Sequence, residues 1–152
     1  MKRWQERFLW IIALVAMVYG MVYVDVVWRA KESFLEGEKY WRWADHPEER
    51  QQFLDTQLTR EKAVLENDRS RGKLSPDEVG HRLEIAQFDH DQALKESSIK
   101  YAYIWYQTTA DLFSPPESRW VKMAREKMPV AKERWKAELR ARKIPFEDYM
   151  ID

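Results

Sequence analysis

The chain contains no cysteine, and this absence excludes several classes of function at once. Disulfides, thiolate metal sites, iron–sulfur clusters, covalently attached c-type haem and cysteine nucleophiles all require a thiol. Glycine is scarce too, with four residues, which argues against a glycine-rich phosphate loop and a long flexible linker. The 26 basic and 26 acidic residues give a formal net charge of zero, so the chain has no overall charge excess that would attract nucleic acid.

The sequence also lacks any segment that alternates apolar and polar residues over the length of a β-strand. Apolar residues recur instead at three- and four-residue spacing, which indicates helices. We therefore expect an all-α protein: one N-terminal transmembrane helix, then an α-hairpin resembling an antiparallel coiled coil, then a kinked, basic C-terminal helix. The expected divisions are a basic tail (1–7), the transmembrane helix (8–28), a juxtamembrane aromatic segment (29–46), an extramembrane helical domain (47–143) and a C-terminal tail (144–152).

Residues 8–28 form a long apolar run that holds a single charged residue, Asp25. At about 1.5 Å per residue, a helix of this length crosses a hydrocarbon core of about 30 Å. The run exceeds the apolar region of a cleaved signal peptide, and no small-residue cleavage site follows it, so we expect a retained signal anchor. No helix breaker follows this run before Gly37, so the helix is expected to continue beyond the membrane.

Basic residues flank both ends of this run, and their distribution predicts its orientation. Lys2, Arg3 and Arg7 form a compact cluster before it, whereas the basic residues after it are interspersed with glutamates. We therefore expect a single-pass protein of the inner membrane with a cytoplasmic N-terminus. The C-terminal domain would then be periplasmic.

Capping signals predict the boundaries of the extramembrane helices. Asp45 is the expected N-cap of a helix that begins near Pro47 and closes at Gly72, where a left-handed conformation is expected. Ser75, followed by proline and two acidic residues, is the expected N-cap of a long second helix over 76–113. These two helices would form the hairpin.

The Ser-Pro-Pro-Glu stretch at 114–117 predicts the start of a C-terminal helix over 116–142, which Pro129 should kink. Residues 119–143 include ten basic and three acidic residues, whereas the two preceding helices lean acidic. We therefore expect the C-terminal helix to pack beside them.

Small and aromatic residues indicate where partners would bind. Ala13, Ala16 and Gly20 share one face of the transmembrane helix, and such a face lets another membrane helix approach closely. Aromatic residues, which are enriched at protein interfaces, concentrate in three extramembrane regions. The residues predicted to contact partners are Ala13, Ala16, Gly20, Trp41, Trp43, Tyr103, Trp105, Tyr106, Trp120 and Trp135.

Candidate catalytic groups are few. The three histidines, His46, His81 and His90, do not have the i, i+4 spacing of metal ligands on a helix, and no Glu-x-x-His motif occurs. No serine stands in a recognisable relation to a histidine. We therefore predict a protein that is not an enzyme, with no cofactor, no metal site, no small-molecule substrate and no nucleic-acid partner.

These features favour a non-catalytic accessory or structural subunit of a multi-subunit membrane complex, with bioenergetic complexes among the candidates. It would hold an extramembrane subunit to the membrane part, and its partners would be other subunits and the lipid bilayer. The alternative is a free-standing, membrane-tethered adaptor or sensor that homodimerises through the seam of the hairpin and recruits a soluble partner. A third hypothesis is a haem- or metal-binding helical bundle that uses His90.

Overall fold

The computed structural model describes residues 3–148 and residue 151, and this part of the chain contains five α-helices and no strand. The all-α prediction is therefore confirmed. The helices are α1 (Arg3–Asp45), α2 (Pro47–Ser70), α3 (Pro76–Lys95), α4 (Ser98–Leu112) and α5 (Arg119–Ala141). They belong to two compact units: unit 1 (Met1–Tyr40 and Ile99–Asp152) and unit 2 (Trp41–Ser98).

α1 is one uninterrupted helix of 43 residues. At about 1.5 Å per residue it is about 65 Å long, roughly twice the thickness of a hydrocarbon core. Its first half is apolar, exposed and long enough to cross a membrane. Its second half has a buried face that includes Ala30 and Phe34. The predicted continuation of the helix past residue 28 is confirmed, and it extends beyond Gly37 to Asp45.

In unit 1, α4 runs antiparallel to the second half of α1. Tyr101, near the start of α4, stacks on Tyr40 with 5.1 Å between ring centroids. Thr109, near its end, donates a hydrogen bond from its hydroxyl to Ser33 Oγ at 2.8 Å. The C-terminus of α4 therefore lies near the part of α1 that leaves the apolar segment.

Aromatic rings from three helices form the core of unit 1. The Phe34 ring of α1 contacts the Tyr106 ring of α4 and the Trp120 ring of α5, each at 5.7 Å between centroids. Tyr103 of α4 contacts Trp135 of α5 at 5.8 Å. The expectation that the C-terminal helix packs beside its predecessors thus holds for α4, and α1, which that expectation omits, completes the core.

The end of the chain docks on the same unit. Ile151 is 3 % exposed, and its backbone carbonyl accepts a hydrogen bond from the buried Tyr103 hydroxyl at 3.0 Å. Lys136 of α5 pairs with Asp148 at 2.8 Å. Both contacts join the tail to α4 and α5.

Unit 2 contains the predicted α-hairpin. α2 and α3 pack against each other within one chain, and their seam buries Leu65, Val79 and Ala86. The turn between them follows local signals: Gly72 has a φ of +70°, and Ser75 and Glu78 form a complete capping box at the start of α3. These local predictions are confirmed.

One predicted helix is wrong in its extent. The helix expected over 76–113 is interrupted after Lys95, because Glu96 has an extended backbone with φ −73° and ψ 148°. α4 begins anew at Ser98. The carbonyls released at this break bind the Arg50 side chain of α2, a contact that local sequence patterns do not reveal.

Two predicted helix starts also differ. Asp45 is the last residue of α1 rather than an N-cap, and His46 precedes α2 without a side-chain cap hydrogen bond. The reason is steric, since Pro47 disfavours a helical conformation at His46. α5 begins at Arg119, capped by the Ser118 hydroxyl, and continues through Pro129 to Ala141.

Candidate functional site

The apolar half of α1 leaves its predicted packing face open. Ala13, Ala16 and Gly20 all lie in the exposed segment, and a Cβ atom placed on Gly20 would meet nothing within 4 Å. A shallow depression of about 500 Å³ follows this position toward the end of the apolar segment. It is lined by Gly20, Met21, Val24, Asp25 and Trp28.

Charged groups at the end of this segment pair within the helix itself. Arg29 Nε donates to Asp25 Oδ2 at 2.8 Å, and the Trp28 indole N–H donates to Glu32 Oε1 at 2.6 Å. Both pairs have i, i+4 spacing, which places their side chains on the same helix face. They mark the level at which α1 changes from an apolar to a polar surface.

A groove of about 540 Å³ opens beside α1 directly after this level. Its walls come from α1, from the second half of α4 and from the residue that follows α4. The lining combines exposed apolar surface, including Leu35, with charged side chains at the rim. The complete lining is Arg29, Glu32, Ser33, Leu35, Glu36, Trp105, Thr108 and Phe113.

The predicted aromatic contact residues differ in exposure. Trp43, Tyr103 and Tyr106 are between 0 and 8 % exposed and belong to the core of the chain. Those with partial exposure are Trp41 in unit 2 and Trp105, Trp120 and Trp135 in unit 1.

A partly buried polar network joins the three helices of unit 1, and sequence reasoning missed it. The Tyr106 hydroxyl donates to Glu38 Oε1 at 2.6 Å, and Lys127 Nζ binds both oxygens of that carboxylate at 2.5 and 2.7 Å. Burial, together with the Glu38 carboxylate, raises the pKa of Tyr106 above its ordinary value, so the phenol stays neutral and donates. The network connects α4 and α5 to the helix that carries the apolar segment.

His90, the candidate ligand of haem or metal, is engaged inside the hairpin. Its Nε2 lies 2.7 Å from Asp55 Oδ1 of α2, and its Nδ1 lies 3.1 Å from Asp91 Oδ1. Glu61 and Asp89 line the small cleft beside it, which has a volume of about 190 Å³. Within residues 3–148 and residue 151, no group of three or more His, Asp or Glu side chains is arranged to hold a metal ion.

The hydrogen bonds of His90 predict that the stability of the hairpin depends on pH. Hydrogen bonds to Asp91 and Asp55 raise the pKa of His90 above 6.5, and the bond to His90 lowers the pKa of Asp91 below 3.8. The stabilisation from His90 is therefore complete below pH 6.5 and is lost as pH rises through the raised pKa. That from Asp91 is complete above pH 3.8 and is lost as pH falls through the lowered pKa.

We expect the full-length protein in mild detergent to unfold at progressively lower temperature as pH rises above 6.5. The change His90→Gln should flatten this slope, because glutamine carries no titrating proton. His81→Gln, at an exposed position of the same helix, serves as the matched control and should keep the slope. Melting followed by circular dichroism across the pH range tests this, and an unchanged slope in His90→Gln would show that His90 is not its source.

The face of α3 opposite the seam exposes two large apolar side chains. Ile85 is 47 % exposed and Phe88 is 61 % exposed, and their i, i+3 spacing makes them neighbours on the helix surface. Val64 of α2 is similarly exposed, at 58 %. Ile85 and Phe88, both on α3, therefore give unit 2 an apolar patch apart from the seam.

Comparison of the chain with protein-family models, with curated proteins and with solved structures finds no match in any of the three. The function is therefore argued from the surfaces described above. These are the open apolar face of α1, the groove beside it in unit 1, and the Ile85–Phe88 patch of unit 2.

Proposed function

We propose that this chain is a non-catalytic, single-pass accessory subunit of a multi-subunit membrane protein complex, which holds an extramembrane subunit to the membrane part. The observation that carries the proposal is the continuity of α1. The first half of this helix is the candidate membrane span, and its second half contributes a buried face to the core of unit 1. Ala30 and Phe34 on that face are 0 and 2 % exposed. α1 also contributes residues 41–45 to unit 2. A load bound to either unit is thus attached through a helix rather than through a flexible linker.

Two adjoining surfaces support a membrane partner. The exposed face around Gly20 allows close approach of another transmembrane helix, which small residues favour. The groove at Leu35 and Trp105 begins where that face ends, and both border the same helix. At 100° per residue, the groove residues Arg29, Ser33 and Glu36 lie on the side of α1 away from Ala13, Ala16 and Gly20, so the two surfaces would receive separate segments of a partner.

The Ile85–Phe88 patch supports an extramembrane partner. Aromatic and aliphatic side chains at the centre of an interface supply most of its binding energy. Phe88 is 61 % exposed, whereas the facing sides of α2 and α3 already pack against each other within the chain. A soluble subunit that covers this patch would be held to the membrane through α1.

The proposal includes the orientation of the chain across the membrane. The basic cluster at Lys2, Arg3 and Arg7 supports a cytoplasmic N-terminus, with both units in the periplasm at the inner membrane. In this arrangement the clamped subunit is extracytoplasmic.

The proposal predicts co-purification in fixed stoichiometry. The native full-length protein, extracted in mild detergent and measured by native mass spectrometry, should carry a polytopic subunit and an extramembrane subunit. The double change Ile85→Ser and Phe88→Ser should lower the extramembrane subunit at least about tenfold, since losing two buried apolar anchors costs more than 1.4 kcal/mol. The polytopic subunit should remain bound.

Val64→Ser is the matched control, because it removes a similarly exposed apolar side chain from the neighbouring helix. It should leave both partners in place. Recovery of a monomer or a homodimer alone would contradict the accessory-subunit proposal and favour the tethered adaptor.

A further inference from the structure

The direction of α4 returns the chain toward the membrane end of unit 1. Thr109 lies at the level of Ser33, to which it is hydrogen-bonded at 2.8 Å. Phe113, one turn further, lines the same groove as Arg29, and Arg29 directly follows the expected span. The segment between α4 and α5 therefore lies within about one helical turn, roughly 5 Å along α1, of the end of the apolar segment.

The residues of this segment are apolar where they face outward. Leu112 is 72 % exposed, more than Leu14 or Val18 in the middle of the apolar half of α1, which are 62 and 53 % exposed. Phe113 and two prolines follow it, and proline has no backbone N–H that would need a partner in a water-poor environment. The outward surface is thus chemically similar to that of the span.

Ser114 has the only polar side chain in residues 112–116, and the protein engages its hydroxyl. The Ser114 hydroxyl donates to Glu117 Oε1 at 3.2 Å and accepts from Arg125 Nη2 at 3.1 Å, and Arg125 also pairs with Glu117. This arrangement satisfies the hydroxyl and the carboxylate within unit 1. The apolar side chain of Leu112 remains exposed.

We propose that residues 112–116 rest in the interfacial layer of the bilayer, as a second lipid contact of unit 1 beside α1. The inference rests on the transmembrane placement of α1 in the proposed function. Lipid is the expected contact because the exposed surface of residues 112–116 lies at the level where the span ends. Charges of both signs accompany the segment: Asp111 precedes it and Lys122 follows it in the sequence, and Arg29 and Glu32 line the groove with Phe113. Apolar contact with zwitterionic lipid is therefore sufficient, and the two contacts together orient unit 1 on the membrane surface.

The absence of cysteine allows a direct test. Single-cysteine variants Leu112→Cys, Val18→Cys and Val130→Cys of the full-length protein are labelled with an environment-sensitive fluorophore and placed in phosphatidylcholine nanodiscs. Some nanodiscs contain lipids with a nitroxide quencher at a shallow acyl position, which reports on Leu112→Cys and Val130→Cys. Others carry the quencher at the acyl terminus, which reports on Val18→Cys at the middle of the span. Val130 is the matched control, since it is 52 % exposed in the same unit and lies three residues after Lys127, which binds Glu38.

Glu38 is ten residues beyond the span, or about 15 Å along the helix, which exceeds the depth of the interfacial layer. We expect quenching at Leu112→Cys to exceed that at Val130→Cys at least about threefold, since an interfacial segment lies about 5–10 Å into the head-group boundary. Quenching at Val18→Cys with equal, low values at the other two positions would overturn the inference and leave the span intact. Absence of quenching at Val18→Cys would overturn the transmembrane placement and this inference with it. Partner subunits are absent from the nanodiscs, so the readout is independent of the accessory role.

Discussion

Replacing Gly37 by alanine is expected to lower the free energy of unfolding by up to about 2 kcal/mol, because overpacking a filled core costs about 1–3 kcal/mol and alanine returns about 1 kcal/mol in a helix interior. A Cβ atom at this position would lie 2.6 Å from Tyr106 Cε1 and 2.8 Å from Tyr106 Cδ1. The ring cannot withdraw easily, because Tyr106 is 0 % exposed and its hydroxyl is bound to Glu38. The overpacking outweighs the gain of about 1 kcal/mol that alanine normally brings to a helix interior.

Thermal and denaturant unfolding of the full-length protein in mild detergent measures this effect. Gly80→Ala is the matched control, because Gly80 lies inside α3 with nothing within 4 Å of an added Cβ atom. It should stabilise the protein by up to about 1 kcal/mol. The penalty of Gly37→Ala should shrink in a Tyr106→Leu background, where the ring is gone. Equal stabilisation by both alanines would refute the close packing of α4 on α1.

Replacing Arg50 by alanine is expected to destabilise unit 2 by about 2–4 kcal/mol, since one buried hydroxyl and two partly buried carbonyls lose a charged donor. Arg50 is 8 % exposed. Its Nη1 donates to the Glu96 carbonyl at 2.5 Å and to Ser98 Oγ at 2.8 Å, and its Nη2 donates to the Ala93 carbonyl at 2.5 Å. The guanidinium thus satisfies carbonyls at the C-terminal end of α3, where a positive charge is also favourable.

Arg60→Ala provides the matched control on the same helix, because Arg60 is exposed and a surface substitution usually changes stability by less than about 0.5 kcal/mol. Arg50→Lys should recover only part of the loss, since one ammonium group lacks the fork that reaches separate carbonyls. Circular dichroism melting of the three variants decides the matter. Similar melting temperatures for Arg50→Ala and Arg60→Ala would show that the Arg50 contacts add little.

The fold was more accessible to sequence reasoning than the surfaces were. Ser75, Glu78 and Gly72 act within a few residues of chain, so the hairpin turn is readable from its local pattern. The break at Glu96 is not, because the donor that occupies its carbonyls lies 46 residues earlier in the chain. The helical period of the surrounding residues predicts continuity there and carries no information about Arg50.

The candidate surfaces show the same division. The sequence identifies Trp105 and Tyr106 alike as aromatic contact residues, yet they are neighbours on a helix and face different surroundings. Tyr106 points into the core against Phe34, whereas Trp105 lines the groove. Only the packing of α4 on α1 distinguishes them, and nothing in the local pattern indicates which of two adjacent rings is buried.

The sequence by itself determined the helical class, the long apolar segment and the hairpin, because helical period, apolar length and capping residues act over short stretches of chain. The tertiary structure decided where the helix expected over 76–113 breaks. It also placed the Tyr106 ring where a side chain at position 37 would lie, and it brought Glu38 to Lys127, 89 residues later. It also decided that the loop after Leu112 lies beside the end of the apolar segment. Each of these depends on contacts between residues far apart in sequence, whose approach is set by the packing of whole helices.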